Sequence, residues 1–270
     1  MKNIFLTYAT EAFIANAKAL AESARKVGFD DALTLGPEDL LKTDFYRANE
    51  VVLTEERGAG YWLWKPFVIL MTLQRLEPGD LLFYSDAGRA NYYRFSRWPG
   101  GLIDKVRSST QGFLLGATTP HLGPICQWTK RDCLVLMNAD EESLFDAEQI
   151  QATWSLWTPT ETAKAFARRW LDFCCDPRCL TDAPNECGLP NYPEFRDHRH
   201  DQSILSILAH QTEAPRLDFR HTLVHKLIQM RPGSALSHTF YKRPQNADDL
   251  LRGDNPYLLV REYVRLKRAR

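Results

Sequence analysis

The chain has 270 residues, of which 44% are hydrophobic, with 34 Lys and Arg set against 34 Asp and Glu. That length suits one large α/β domain or two small ones. The balanced charge gives no electrostatic reason to expect a nucleic-acid partner, and no apolar run is long enough to cross a bilayer as a helix.

Residues 4–8, Ile-Phe-Leu-Thr-Tyr, read as a short buried strand, too short and wrongly flanked for an export segment. Phe13, Ile14, Ala17, Leu20, Ala21, Ala24 and Val27 follow at helical spacing, with Gly28 as a natural stop. Residues 32–35 are a second strand, and strand–helix–strand is the opening of a parallel sheet covered by helices. Residues 64–76 read as a helix that tolerates Pro66 in its first turn. A turn at 77–80 leads to a compact strand at 81–84, stopped by Ser85-Asp86-Ala87-Gly88. Further elements are a strand at 112–117, a helix at 161–176 and a Pro-, Asn- and Asp-rich surface loop at 177–195. A helix at 201–210 turns Ile204, Leu205 and Leu208 inward, a late strand covers 222–228, and a basic amphipathic helix closes the chain at 257–270. The expected fold class is α/β, a mixed and mainly parallel sheet flanked by helices in one domain spanning 1–256. Cys126, Cys133, Cys174, Cys175, Cys179 and Cys187 read as reduced thiols, because the clustered four lack paired C-x-x-C spacing.

Asp86 follows directly on a hydrophobic strand, and ligands bind α/β sheets at the carboxyl ends of their strands. Ala87 and Gly88 are small enough to let a ligand approach the backbone. A diphosphate needs its charge offset by a cation held on carboxylate oxygen, or by Lys and Arg. Asp86 suits the first and Lys65 the second; the other reading is a turn acid and a solvated lysine. Tyr61, Trp62 and Trp64 are either core aromatics or rings that stack on a base or a sugar face. Asp201 reads as a helix N-cap, a position that leaves one carboxylate oxygen for other work. His198 and His200 alternate, so both point to one side of an extended segment. Lys130, Arg131 and Asp132 open an apolar helix, where Asp132 suits the dipole.

Four strings, YWLWKP (61–66), YSDAG (84–88), KRDC (130–133) and HRHDQSILS (198–206), together resemble a group of bacterial surface-polysaccharide glycosyltransferases of the GT-A fold. The resemblance implies a donor half at about 1–120 and an acceptor half at about 121–256. It implies Tyr61, Trp62, Lys65, Asp86, Ala87, Gly88 and Arg131 on a nucleotide-diphosphate sugar. It further implies Asp132, His198 and Gln202 on the acceptor, and Asp201, with His200 next, as the base that takes the acceptor proton. The usual Asp-x-Asp is reduced here to Asp86-Ala87-Gly88, so a Mg²⁺ or Mn²⁺ would rest on Asp86 alone, and a cation-free site built from Lys and Arg stays open. His238-Thr239-Phe240-Tyr241-Lys242 is weakly similar, at a different spacing, to an element that closes over the diphosphate in such enzymes. A nucleotidyltransferase would need a glycine-rich loop after the first strand, where Ala9-Thr10-Glu11 stands instead; a catalytically silent nucleotide- or glycan-binding subunit remains a rival reading. The expected setting is cytoplasmic, with 257–270 either solvated or resting on an anionic membrane surface near a lipid-linked glycan acceptor.

Overall fold

The computed structural model describes residues 1–88, 94–95, 98–119 and 123–217. In chain order the elements are β1 (Asn3–Tyr8), α1 (Ile14–Val27), β2 (Asp31–Leu35), α2 (Pro37–Leu40), α3 (Asp44–Leu53), α4 (Gly58–Tyr61), α5 (Trp64–Leu73), β3 (Leu81–Ser85) and α6 (Gly100–Arg107). They continue with β4 (Phe113–Ala117), α7 (Arg131–Leu136), α8 (Glu142–Phe145), β5 (Trp154–Trp157), α9 (Glu161–Cys174), α10 (Pro177–Leu180), α11 (Asp201–Gln211) and β6 (Arg216–Leu217). The sheet order is β2-β1-β3-β5-β4-β6. β1 pairs in parallel with β2 and β3, and β4 with β6, while β5 runs antiparallel to both β3 and β4. The fold is therefore a mixed, mainly parallel α/β sheet with helices on both faces.

Strand alternation divides the core between those faces. Leu6, Tyr8, Leu82 and Tyr84 point to the face covered by α5, α9 and α11; Phe5, Leu81 and Phe83 point to the face covered by α1 and α6. α5 is apolar almost all round and lies inside the first layer, with Val68, Ile69, Leu70 and Leu73 buried. It packs on α9, which packs in turn on α11. This placement brings the amino ends of α5 and α11 to the carboxyl end of β3. Pro66 lies in the first turn of α5, where its missing N–H would have had no intrahelical acceptor. Gly28 ends α1 at φ 115°, the left-handed region glycine enters without a Cβ penalty.

The elements expected near residues 4–8, 14–27, 32–35, 64–76, 81–84, 112–117, 161–176 and 201–210 are all present, α5 and α9 ending earlier than expected. Residues 177–195 are not only a surface loop: α10 begins there, and Cys179 and Leu180 are fully buried. Asp201 is not an N-cap; it is the first residue of α11, and His200 occupies the cap position without a side-chain cap bond. The strand expected at 222–228, the 238–242 element and the 257–270 helix lie outside the described residues. No helix among the described residues is long and apolar enough to cross a membrane.

Candidate active site

At the carboxyl end of β3 three charged side chains meet. Lys65 Nζ lies 2.9 Å from Asp201 Oδ2 and 3.3 Å from Asp86 Oδ1. Tyr84, two residues before Asp86 on the same side of the strand, donates its hydroxyl to Asp86 Oδ1 at 2.5 Å. The backbone N–H of Asp86 is held by the carbonyl of Thr153 at 2.8 Å. The three differ in access: the side chains of Lys65 and Asp201 are 3% and 5% exposed, that of Asp86 25%.

Burial and charge work against each other in this group. Burial alone would strip the proton from Lys65, but Asp201 and then Asp86 outweigh it and hold its pKa above the ordinary lysine value. Burial raises Asp201 from 3.8 to about 6 against the pull of Lys65, and the neighbouring Asp86 charge adds to the rise. Burial, reinforced by the Asp86 charge, keeps the Tyr84 hydroxyl protonated far above its usual range, so it stays a donor. With both acids ionised the trio carries a net charge of −1; with Asp201 protonated it carries none.

The wall beside this group is a strained turn. Gly58, Ala59, Gly60, Tyr61 and Trp62 have φ of 61°, 51°, 90°, 53° and 61°, one turn of left-handed helix. Such a conformation costs an L-residue roughly 1–2 kcal/mol. Backbone bonds close the turn, Tyr61 N–H to Arg57 O at 2.7 Å and Trp62 N–H to Gly58 O at 3.3 Å, and the indole N–H of Trp64 donates to Gly58 O at 3.0 Å. Gly60 is pressed onto α3, where an added Cβ would lie 2.6 Å from Leu53 Cα. The turn carries the rings of Tyr61 and Trp62 to within 4.9 and 5.6 Å of the His200 ring, centroid to centroid. Trp64 instead stacks on Tyr8 at 4.0 Å and belongs to the core. His200 is itself in an unusual conformation, φ 50°, ψ −120°. Backbone strain of this kind collects where a structure holds side chains for a task.

His200 Nδ1 lies 2.8 Å from the carbonyl of Leu180, so that nitrogen carries the proton and Nε2 keeps its lone pair. Burial lowers the pKa of the ring, and Nε2 has no hydrogen-bond partner, with Asp182 Oδ1 3.9 Å away. The N–H of Trp170 holds the carbonyl of Asp201 at 3.0 Å.

Several expected site residues have other occupations. Asp132 does not offer its carboxylate to a sugar: the side chain is 1% exposed and accepts the backbone N–H groups of Glu186 and Cys187 at 2.8 Å each. Arg131 does not point at the Lys65 group; its guanidinium pairs with Asp140 at 2.9 Å and lies over the Tyr192 ring at 4.0 Å. His198 is buried, accepts Lys130 N–H at Nδ1 and donates from Nε2 to Cys179 O, and burial drives its pKa well down. These three tie α7 to the 177–199 segment. Gln202 Nε2 faces Gln149 Oε1 at 3.4 Å. Ala87 packs on Ala9 and Ala17, and Asn16 Nδ2 tethers the Gly88 carbonyl at 3.0 Å. Lys65 is too deeply buried and too fully paired to lie directly on a phosphate. The carboxylate of Asp201 is 5% exposed and faces the Lys65 ammonium.

Sequence reasoning passed over Tyr84, Arg57, Asp182 and the left-handed turn. The Gly-Ala-Gly run before Tyr61 is a legible signal of positive φ. Arg57 and Asp182, bonded at 2.8 Å across 125 residues, leave no local signal.

No family model matches the chain, and no curated protein matches it. Among solved structures, that of a glycosyltransferase involved in the glycosylation of the major capsid of PBCV-1 is similar at 8% identity and TM-score 0.45, covering 92% of this chain and 98% of that chain. A likeness of that size carries no argument about chemistry.

Proposed function

We propose that the protein is a GT-A-type glycosyltransferase that moves a sugar from a nucleotide-diphosphate donor to a glycan or lipid-linked glycan acceptor, in the assembly of a surface polysaccharide. The observation that carries this reading is the half-open Asp86 at the carboxyl end of β3, backed by buried Lys65 and Asp201. Three of the four strings that resemble such enzymes supply this group and the rings beside it. The trio has no net positive charge, so a bare diphosphate would not be attracted to it. A Mg²⁺ or Mn²⁺ bound with the nucleotide would supply the missing charge to a departing diphosphate. Asp86 is the residue that would hold it. Among the described residues no three His, Cys, Asp or Glu side chains cluster as a ready-made metal site, so most ligands of such an ion would have to come from phosphate oxygens and water. Lys65 orients Asp86, Asp201 keeps Lys65 in place, and the rings of Tyr61 and Trp62 offer a flat face to a base or sugar.

The test is release of nucleoside diphosphate from UDP- and GDP-sugars by the purified full chain, with mixed glycan acceptors, with and without EDTA. Release that EDTA stops and Mn²⁺ restores is expected. No release from any donor overturns the assignment; release untouched by EDTA overturns the role given to the cation.

A further inference from the structure

A second feature of the structure does not involve Lys65, Asp86 or Asp201. A pocket of 370 Å³ opens between the Arg57 end of the left-handed turn and the 182–198 segment, lined by Asp182, Asn185, Asn191, Phe195 and Asp197 together with Arg57, Lys130 and His198. That volume lies at the lower end of the roughly 300–1,000 Å³ typical of small-ligand sites. We infer that this pocket is the subsite for an uncharged sugar residue of the acceptor; the inference rests on the glycosyltransferase reading and adds the place and the charge class of the acceptor.

Charge excludes the simplest alternatives. Arg57 divides its two terminal nitrogens between Asp182 Oδ2 at 2.8 Å and Asp197 Oδ2 at 2.7 Å. Lys130 is 4% exposed; its Nζ donates to the Ala183 carbonyl at 2.6 Å and lies 3.8 Å from Asp132. His198 is neutral, its pKa driven down by burial. Two cations and two carboxylates leave the lining uncharged, with no cation offered to an anion and no acid unpaired for a cation. What remains is hydrogen-bonding capacity and one ring. Arg57 engages Oδ2 of each of Asp182 and Asp197, and each carboxylate can accept several hydrogen bonds. Hydroxyls are the donors that fit such oxygens without bringing charge. Asn185 and Asn191 add amides, and Phe195 supplies the apolar surface on which the C–H face of a pyranose can lie.

One lining acid also lies near His200. Asp182 Oδ1 is 3.9 Å from the unpartnered Nε2 of His200, the residue that precedes Asp201. Arg57 caps the turn that carries Tyr61 and Trp62.

The experiment is saturation-transfer NMR on the full chain with methyl glycosides of glucose, galactose, mannose and N-acetylglucosamine, and with glucuronate and glucosamine as charged probes. Nucleotide-sugar binding is measured on the same sample. At least one neutral glycoside is expected to receive saturation, to lose it in Phe195→Ala and to regain it in Phe195→Tyr, with the thermal midpoint of each variant confirming a folded chain. Signal retained in Phe195→Ala, stronger transfer to a charged probe, or no transfer to any neutral glycoside overturns the subsite. If nucleotide-sugar binding is itself missing, the glycosyltransferase reading fails first; if it is present while the glycosides are silent, only the subsite fails.

Discussion

Asp132 and Asp201 are both buried aspartates, each in the first turn of a helix and each near one lysine, yet their pKa values move in opposite directions. Burial pushes both upward. At Asp132 the donors on Cys187 and Glu186 outweigh it and hold the acid below its usual range. At Asp201 the main counterweight is the Lys65 ammonium, which is shared with Asp86, and the pKa rises to about 6. A buried acid whose lone pairs are filled by backbone N–H groups is a fastener. One that must share its cation, beside a half-open partner, is poised to respond when charge arrives. The same contrast separates the Arg131, Asp132 and His198 cluster, which closes the 177–199 segment, from the Lys65, Asp86 and Asp201 group, which borders solvent.

The sharpest way to break this contrast is Lys65→Met. It leaves Asp201 buried without its cation, and removing one partner of a buried pair costs about 3–5 kcal/mol. Urea unfolding should show a loss of that size; a loss below about 1 kcal/mol would mean the trio is not held as described. Next is Gly60→Ala, which places a Cβ 2.6 Å from Leu53 Cα at a φ of 90°. A cost of about 2 kcal/mol is expected, and a neutral result would show that the left-handed turn is not the populated state. Asp132→Asn weakens the anchor on Glu186 and Cys187, with an expected loss of about 1–2 kcal/mol. Faster proteolysis within 182–199 should accompany it, and unchanged cleavage would argue against the fastener.

The last effect is a pH dependence. Asp201 goes from 3.8 unfolded to about 6 folded, so the native state binds the proton more tightly. The stability this group contributes is full below 3.8 and is lost as pH rises to about 6. Acids such as Asp132 and Asp176, whose pKa values are lowered on folding, slope the other way, so the quantity to measure is wild type minus Asp201→Asn. That difference should fall by about 2 kcal/mol between pH 4 and pH 6.5. A flat difference would place Asp201 at an ordinary pKa.

Much of the sheet was legible because its strands are short apolar runs bounded by turns, and α1, α5, α9 and α11 keep helical spacing. β5 was missed: Trp154–Trp157 is a four-residue strand flanked by polar residues, and only its pairing with β3 and β4 makes it a strand. The juxtaposition of Lys65 and Asp86 could be anticipated because a helix leading into a strand returns its amino end to the strand's carboxyl end. The fate of Asp132 and Arg131 could not, since their partners lie 55 and 9 residues away on segments with no regular period. Nor could Asp201 be read as buried, because a capping acid at the surface and a helix-opening acid facing a lysine look alike in sequence.

The central claim is that Asp86 meets the charge of a nucleotide diphosphate. Thermal unfolding of wild type and Asp86→Asn, each with UDP, GDP or dTDP and with or without Mn²⁺, tests it most directly, because a ligand that binds only the native state raises its apparent stability. One of these nucleotides is expected to raise the wild-type midpoint only when Mn²⁺ is present, and Asp86→Asn is expected to abolish the rise. An equal rise in the variant, or no rise with any nucleotide in the wild type, would contradict it.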